Sequence, residues 1–240
     1  KFPEIPIIIM TAYSDLDTAV AAFQKGAFEY IAKPFDIDKS IEVIKKALVK
    51  ANANITTSSD DRSLAPEIIG QSSSMQTIFR MIGKLSKSED NVLINGETGT
   101  GKALVAQSLH HNSQRKDQPF IKVNAGAIPK ELIEEVLFGM EKPAPTDSQE
   151  VIKGIVDEAH GGTLFLDEIG DMPMEIQIRL LTILSDGQFY RVGGKKPVAI
   201  NIRIIAATNQ NLNTLVAKQL FRGDLFYRLN AISIMIPPLR

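Results

Sequence analysis

Short apolar runs alternate along this 240-residue chain with longer stretches that carry apolar residues at every third or fourth position. The short runs are typical of strands buried on both faces of a parallel sheet, and the longer spacing is typical of amphipathic helices. In the second part of the chain, the runs that predict strands are Val92–Ile94, Phe120–Val123, Thr163–Leu166, Arg203–Thr208 and Ile232–Ile236. Strands that alternate with helices predict an α/β fold with a parallel sheet covered on both faces.

The first 50 residues repeat this alternation on a smaller scale. Apolar runs at Ile5–Met10 and Phe28–Ala32 predict two strands, the first of them buried on both faces. Ser14, Asp15 and Asp17 supply helix-start chemistry and Gly26 a helix end, so a helix is expected between them. A second helix is predicted from the apolar face formed by Ile37, Ile41, Ile44 and Leu48. The β-α-β-α order is part of a doubly wound, flavodoxin-like fold and is too short for a whole domain.

A polar segment divides the chain into two parts. Residues 51–66 are almost devoid of large apolar side chains and are expected to form a flexible linker. We therefore assign residues 1–50 to a first α/β segment and residues 67–240 to a second domain. Because the chain begins at Lys1 almost directly with a strand and ends soon after another, we expect both ends to be cuts through a longer protein.

Composition narrows the class of protein. The hydrophobic fraction of 44% and the charged fraction of 23% are those of an ordinary globular protein. A formal net charge of −1 gives no sign of a basic nucleic-acid-binding surface. The absence of cysteine excludes disulfides and thiolate metal sites and suits a reducing, cytoplasmic location. No apolar run approaches the roughly 20 residues needed to span a bilayer, so no membrane association is expected.

A glycine-rich segment follows the run at Val92–Ile94. Its sequence, Gly96-Glu97-Thr98-Gly99-Thr100-Gly101-Lys102, matches the G-x-x-x-x-G-K pattern of a nucleotide phosphate loop. The glycines let backbone N–H groups converge on an anion, and a helix that begins near Lys102 adds partial positive charge. Ala103 departs from the pattern, because the usual Ser or Thr supplies a hydroxyl to magnesium. The alternative, a turn with a surface lysine, is disfavoured by the flanking strand and helix.

Two carboxylates, Asp167 and Glu168, follow the run at Thr163–Leu166. In a phosphate-loop enzyme the aspartate at this strand end holds the magnesium ion. The adjacent carboxylate can polarise the attacking water as a general base. An isolated Asp-Glu pair is usually a solvated turn, but its position after a buried strand and downstream of a phosphate loop favours a catalytic pair.

Three further polar residues are candidates for the same chemistry. Asn209 ends the fourth strand, where a neutral amide could orient water or touch a γ-phosphate. Arg222 and Arg228 could stabilise the charge that develops during phosphoryl transfer if a neighbouring subunit contributed them. From spacing alone, the favoured alternative for each arginine is a salt bridge to a local acid such as Asp224.

The second domain resembles the AAA+ ATPase domain of sigma-54-dependent transcription activators, the bacterial enhancer-binding proteins. The segments that carry the resemblance are Gly96–Lys102, Gly161–Pro173, Asp186–Gly194, Ala206–Asn209 and Phe221–Asn230. The resemblance implies that the loop from Gly96 to Ala103, with Lys102, binds ATP. It also implies that Asp167 binds Mg²⁺ and that Glu168 activates water.

Other roles follow from the same resemblance. Asn124 matches the family's asparagine that restrains the catalytic glutamate, and Asn209 matches its sensor residue. Arg222 and Arg228 match arginines offered across a subunit interface, and Ile69-Gly70 matches the edge of the adenine pocket. Such subunits form head-to-tail homo-oligomers, from dimers to hexameric or heptameric rings.

The first 50 residues resemble the second half of a response-regulator receiver domain. The matching segments are Met10–Ala12, Gly26–Tyr30 and Lys33–Phe35. The resemblance implies that Thr11 and Lys33 contact an aspartyl phosphate and that Tyr30 moves with the switch. It also implies a cis bond between Lys33 and Pro34 and a sensor histidine kinase as partner. The phosphoacceptor aspartate belongs to the family's first half, which this segment lacks.

Departures from the activator family leave two functions open. Ala103 replaces the usual Glu after the loop lysine, and Pro143–Ser148 replaces the Gly-Ala-Phe-Thr-Gly-Ala loop that grips sigma-54. The leading hypothesis is an ATP-binding transcriptional regulator of a two-component system that binds DNA through a domain outside this chain. Its ring-forming AAA+ ATPase would remodel sigma-54 RNA polymerase, a contact that the altered loop makes doubtful. The alternative is a non-catalytic DNA-binding regulator that uses the core as a nucleotide-gated oligomerisation scaffold. The pair Asp167-Glu168 favours the first hypothesis, in which the domain hydrolyses ATP. The chain is also expected to stop before the family's helical lid.

Overall fold

The computed structural model describes residues 5–12, 15–50, 73–142 and 150–238. The chain forms two compact units, one of Lys1–Ser88 with Gln107–Gln114 and one of Glu89–Ala106 with Arg115–Arg240. The predicted linker at 51–66 lies outside the described residues, and the predicted domain boundaries stay a prediction. In the described part of the chain, no helix combines the length and apolar character needed to cross a membrane.

The first unit contains the predicted β-α-β-α segment. In chain order it has β1 (Ile8–Thr11), α1 (Leu16–Gln24), β2 (Glu29–Ala32), α2 (Ile37–Lys50) and α3 (Ser73–Leu85). Strands β1 and β2 pair in parallel, with Thr11 opposite Ala32. The carboxylate of Asp15 caps α1 by accepting from the Thr18 N–H at 2.7 Å, and Gly26 follows the helix with a φ of 90°. Both helix-boundary predictions for α1 are thus confirmed.

Several apolar residues of this segment are less buried than their pattern predicts. The exposed ones are Ile5, Ile7 and Met10 in or before β1, and Ile37, Ile41 and Ile44 on α2. The predicted strand at Ile5–Met10 is therefore wrong in both extent and burial, because β1 starts at Ile8 and pairs only with β2 among the described residues. The apolar face of α2 is likewise only partly covered by the part of the chain that is described, and the side chain of Leu48 lies outside that part.

Helix α3 packs against α1 within the first unit. Gly83 faces the ring of Phe23, and a methyl group at position 83 would collide with that ring. Lys84 Nζ lies 2.6 Å from Oε2 of the buried Glu29 and 5.7 Å from the centroid of the Phe23 ring. The apolar stripe of α3 is buried at Ile78, Phe79, Ile82 and Leu85. The absence of a side chain at Gly83 therefore lets the two helices approach closely.

Alternating strands and helices make up the rest of the chain, mostly in the second unit. In chain order they are β3 (Val92–Asn95), α4 (Lys102–His111), β4 (Phe120–Asn124), α5 (Ile133–Phe138), β5 (Met140–Lys142), β6 (Glu150–Ile152), α6 (Ile155–Glu158), β7 (Thr163–Asp167), α7 (Met174–Asp186), β8 (Gln188–Tyr190), β9 (Pro197–Ala199), β10 (Arg203–Thr208), α8 (Leu212–Ala217), α9 (Gly223–Leu229) and β11 (Ile232–Met235). All five predicted strands of this part are present. The three-residue strands were not predicted, because such short segments carry too little periodicity.

Five strands form one parallel sheet in the order β11-β3-β10-β7-β4, which confirms the predicted fold class. Asn95 at the end of β3 is level with Thr208 at the end of β10. Asn124 at the end of β4 is level with Asp167 at the end of β7. The carboxyl ends of these four strands therefore meet at one edge of the sheet, where ligands of open α/β sheets bind.

Two short hairpins, β5–β6 and β8–β9, lie outside this sheet. Met140 of β5 forms an isolated bridge with Val192, which follows β8. The guanidinium of Arg191 binds the carboxylate of Asp157, and its Nη1 lies 3.7 Å from Oε1 of Glu141 on β5. The base of the β5–β6 hairpin is thus tied to the segment after β8 by both backbone and charge.

Gly162 is expected to tolerate no side chain. It immediately precedes β7, and a Cβ at this position would overlap the carbonyl group of Pro119. Because a backbone cannot move aside as a flexible side chain can, Gly162→Ala should lower the free energy of unfolding by about 1–3 kcal/mol. Urea unfolding curves measure this loss.

Gly223→Ala is the matched control for that substitution. A Cβ at position 223 would lie 3.5 Å from Val216 Cγ1, an ordinary contact distance. Its free energy of unfolding should change by only about 0.5 kcal/mol. An equal loss in both variants would show that the contact between Gly162 and Pro119 is not responsible.

Candidate functional site

The glycine-rich segment connects the end of β3 to the start of α4, as predicted. Gly99 and Gly101 have φ values of 83° and 89°, in the left-handed region that favours glycine. The N–H of Gly96 donates to the carbonyl of Thr208 at 3.2 Å, which fixes the start of the loop on the end of β10. The loop thus brings left-handed glycines and the N-terminus of α4 at Lys102 to the carboxyl edge of the sheet. This arrangement is suited to binding phosphate.

Lys102 is buried inside the loop, with 6% of its surface exposed. Its ammonium donates to the carbonyls of Gly96 and Glu97 at 3.0 and 3.1 Å. It also lies 3.6 Å from Oε1 of Glu168. The structure therefore brings together Lys102 and Glu168, the residue that directly follows β7, although the two are far apart in the sequence.

Glu168 has an unusual backbone conformation for a residue with a side chain. Its φ of 54° and ψ of 52° are left-handed, which costs on the order of 1–2 kcal/mol for a residue other than glycine. Its Oε2 accepts from the backbone N–H of Asn209 at 3.3 Å. The carboxylate is thus held between Lys102 and the end of β10. Strain of this kind is often found at functional sites.

Asn209 links the end of β10 to the phosphate loop. Its side-chain Nδ2 donates to Oγ1 of Thr98 at 3.0 Å. Within the loop, the Thr100 hydroxyl donates to the carbonyl of Glu97 at 2.8 Å. Asn209 therefore contacts the loop through its amide and Glu168 through its backbone, so a movement of either would be transmitted to this residue.

Asp167 and Asn124 lie side by side on neighbouring strands. The side-chain oxygen of Asn124 accepts from the N–H of Gly126 at 3.0 Å and caps a short 3-10 turn at Ala125–Ala127. Asp167 Oδ2 lies 3.5 Å from the ammonium of Lys122, two residues before Asn124. Sequence reasoning missed Lys122, because only the pairing of β4 with β7 brings it to the aspartate.

The two candidate arginines have local partners. Arg222 holds Asp224 with two hydrogen bonds, from Nε at 3.0 Å and from Nη2 at 2.7 Å. Nη1 of Arg228 donates to the carbonyl of Leu184 at 3.2 Å. The local ion pair favoured by spacing is confirmed for Arg222, and neither arginine contacts the phosphate loop of its own chain. A role for them across a subunit interface stays a prediction.

The carboxylate at this edge of the sheet fits a Mg²⁺ ion that is also bound by a nucleotide. Mg²⁺ is usually held by one or two carboxylates together with substrate phosphates and water. Asp167 offers one carboxylate at a strand end, and Ala103 adds no ligand. Among the described residues, no group of three or more His, Cys, Asp or Glu side chains could hold a metal ion. Phosphate oxygens and water would therefore have to complete the coordination.

The three receiver residues lie in or just after β1 and β2. The N–H of Lys33 donates to the carbonyl of Thr11 at 2.7 Å, so the two backbones are adjacent. The bond between Lys33 and Pro34 is cis, as the receiver resemblance implies. Tyr30 is 1% exposed, and burial raises the pKa of its hydroxyl, with the negative charge of Asp15 adding to the rise.

Two predicted elements lie outside the described residues. They are Ile69-Gly70, expected at the edge of an adenine pocket, and Pro143–Ser148, expected at the sigma-54 contact loop. The second of them falls between β5 and β6, so the structure describes the two strands on either side of it.

Comparison with known proteins matches both parts of the chain to families. The family described as the sigma-54 interaction domain matches residues 68–235. The response regulator receiver domain matches residues 1–45. These are the two families that the motifs of the second domain and of the first 50 residues predict.

Individual relatives cover the whole chain. DNA-binding transcriptional regulator NtrC of Klebsiella pneumoniae is 53% identical over 100% of this chain and 51% of its own length. NtrC of Escherichia coli K12 is 52% identical with the same coverage. A crystal structure of NtrX from Brucella abortus in complex with ADP has a TM-score of 0.67 and 37% identity, over 99% of this chain and 51% of that one. The structure of NtrX with ATP gives the same TM-score at 36% identity. This chain spans about half the length of these relatives.

The ion pair between Arg222 and Asp224 should be visible in a pH titration. Hydrogen bonds from Arg222 lower the pKa of the Asp224 carboxyl below its usual value. In Arg222→Met this pKa should return toward the usual value, and carbon-13 NMR of the Asp224 carboxyl measures it. Arg222→Lys is the control, because it keeps the charge but loses the paired geometry, and it should give an intermediate pKa.

The same shift fixes the direction of the stability change with pH. Because the folded-state pKa of Asp224 is depressed, the pair stabilises the fold above the unfolded-state pKa. That contribution is lost as the pH falls through the folded-state pKa. The effect on the melting temperature should be small, since the pair is exposed to solvent. A carboxyl pKa that is the same in wild type and Arg222→Met would contradict the pairing.

Proposed function

The chain belongs to the family of sigma-54 interaction domains and also contains part of a response regulator receiver domain, and we propose that it is the ATP-hydrolysing core of a two-component transcription regulator. The observation that carries this proposal is the convergence of Lys102, Glu168 and Asn209 at one edge of the sheet. The similar NtrX structures were solved in complex with ADP and with ATP. We extend nucleotide binding from that protein to this chain, with ATP and Mg²⁺ as the bound species.

Lys102 would bind the outer phosphates of ATP. To do so, its ammonium exchanges the carbonyls of Gly96 and Glu97 for phosphate oxygens, a change confined to the loop. The same movement separates Lys102 from Glu168. The freed carboxylate stays fixed by the N–H of Asn209 and can accept a proton from the attacking water.

The remaining candidates would support this step. A Mg²⁺ ion held by Asp167 would supply charge neutralisation to the phosphates. Asn124 would restrain Glu168 from the neighbouring strand, and Ile69-Gly70 would border the adenine. Asn209 would report the presence of the γ-phosphate, because its amide contacts Thr98 in the loop. The loop from Gly96 to Ala103 would supply the backbone donors.

A second copy of the chain would complete the site. Arg222 and Arg228 flank Tyr227, which is 77% exposed, and Leu220 nearby is also exposed. Exposed apolar side chains beside arginines are typical of protein–protein interfaces. The pair between Arg222 and Asp224 is solvent-exposed, so exchanging it for a neighbour's phosphate costs little. We therefore propose head-to-tail homo-oligomers, from dimers to hexameric or heptameric rings.

The remaining assignments concern the whole protein. We propose residues 1–50 as the second half of a receiver domain, 51–66 as a linker and 67–240 as the AAA+ domain. Thr11, Tyr30 and Lys33 would form its switch, with a sensor histidine kinase as partner. DNA would be bound through a domain outside this chain, and the protein would work in the cytoplasm.

The output of the ATPase depends on the segment between β5 and β6. The segment Pro143–Ser148 lacks the glycines and the phenylalanine of the family's sigma-54 contact loop. The hairpin around it is anchored by Arg191, which binds Asp157 and approaches Glu141. Because the base of the hairpin is anchored, the segment between β5 and β6 would still follow movements of the core. The altered segment favours the alternative function, a nucleotide-gated oligomerisation scaffold that is independent of sigma-54.

ATP hydrolysis by the full-length protein should require Mg²⁺ and should rise in specific rate with protein concentration. The rise is expected because a neighbouring subunit would supply arginine to each site. A phosphate-release assay over a range of protein concentrations measures both properties. Lys102→Ala and Arg222→Ala should each lower the rate by a factor on the order of 10³.

Two controls separate the possible outcomes. Lys218→Ala removes an exposed lysine directly after α8 and should leave the rate unchanged. Tight ATP binding without turnover would support the scaffold and remove the enzyme from the proposal. Turnover that is equal in wild type and Lys102→Ala would show that the loop is not the site.

Replacing Pro143–Ser148 by Gly-Ala-Phe-Thr-Gly-Ala in the full-length protein should create ATP-dependent binding to sigma-54. The reason is that the replacement restores both glycines and the apolar tip between β5 and β6. Co-sedimentation with purified sigma-54 measures the binding. The control carries Gly-Ala-Ala-Thr-Gly-Ala, which has the same flexibility without the aromatic ring. If neither variant binds, loss of the loop is not the explanation.

A further inference from the structure

Lys122 is the side chain that pairs with Asp167 among the described residues. Its Nζ lies 3.5 Å from Oδ2 of Asp167. The carboxylate is 16% exposed and the lysine side chain 49% exposed. The proposed magnesium ligand is therefore already next to a cation that has access to solvent.

The position of Lys122 follows from the sheet and not from a chance surface encounter. Lys122 is level with Phe165 on β7, two residues before the level of Asn124 and Asp167. Its ammonium lies 5.8 Å from the centroid of the Phe165 ring. The stem of the lysine thus runs along the sheet, and its head reaches the carboxyl edge.

The two carboxylates at the end of β7 each have their own lysine. Glu168 faces Lys102, and Asp167 faces Lys122. In the proposed function Lys102 leaves Glu168 for the phosphates of ATP. A Mg²⁺ ion held by Asp167 together with the phosphates would instead repel Lys122 from the carboxylate directly.

We propose that Lys122 is a positioning residue that holds the carboxylate of Asp167 until Mg²⁺ displaces it, and that it thereby raises the Mg²⁺ concentration at which the site fills. This inference rests on the proposed nucleotide site. Two cations compete for the same carboxylate, and the half-exposed lysine head can swing into solvent on its four-carbon stem. The residue acts on metal binding and does not take part in the chemical step.

Removing the charge should strengthen the effect of Mg²⁺ on nucleotide binding. The quantity to measure is the Kd of a fluorescent ADP analogue in EDTA divided by its Kd in saturating Mg²⁺, for the full-length protein. Lys122→Met should raise this ratio on the order of fivefold, as expected when one unit charge is removed close to a cation at a protein surface. Lys196→Met, in the exposed turn between β8 and β9, loses the same charge and should leave the ratio unchanged.

The pairing itself can be tested without nucleotide. In EDTA, the unfolding midpoints of Lys122→Met, Asp167→Asn and the double variant form a double-mutant cycle. Lys122→Met should lower the midpoint less in the Asp167→Asn background than in the wild-type background. Additive shifts would mean that the two side chains do not interact, and the inference would then be wrong.

Other outcomes separate this inference from the proposed function. If Lys122→Met weakens ADP binding equally in EDTA and in Mg²⁺, Lys122 is a phosphate ligand and the inference is wrong. An unchanged ratio overturns it as well, while the proposed function stands. Wild-type protein that binds no ADP analogue under either condition overturns the proposed function, and the inference with it.

Discussion

The parallel pairing of β3, β10 and β7 is the constraint on which the site depends. Each strand delivers its carboxyl end to the same edge of the sheet, so residues that are distant in sequence meet there. The hydrogen bond from Gly96 to Thr208 closes the glycine-rich loop onto that edge. A slip of one residue in the pairing of β10 with β7 would turn every side chain of the slipped strand to the other face of the sheet and separate Glu168 from Asn209.

The charged groups of the candidate site are arranged in exchangeable pairs. Lys102 faces Glu168, Lys122 faces Asp167, and Arg222 holds Asp224. The last two pairs are partly or largely open to water, where such contacts contribute little to stability. These two pairs can therefore be exchanged for a phosphate or metal contact without a large loss of folding free energy. The backbone of Glu168, in contrast, is fixed in a left-handed conformation that only the surrounding structure maintains.

Features encoded by neighbouring residues could be predicted, and features created by strand order could not. The phosphate loop, the pair Asp167-Glu168 and the cap of α1 at Asp15 each depend on a short segment, and the structure has all of them. The contact of Lys122 with Asp167 depends on β4 lying beside β7, which no local pattern specifies. The exposure of Ile37 on α2 was unforeseen for a similar reason, because periodicity identifies an apolar face but not what covers it.

The close packing of α3 on α1 affects how the protein can be divided into fragments. Helix α3 lies within the segment matched to the sigma-54 interaction domain, yet its Gly83 and Lys84 contact Phe23 and Glu29 of the receiver half. A fragment that begins at residue 67 would bare the glycine-bearing face of α3. The remaining fragment would lose the counter-ion that Lys84 supplies to the carboxylate of Glu29. Self-association of such fragments would therefore reflect the helix faces exposed by the cut as well as any ring that the intact protein forms.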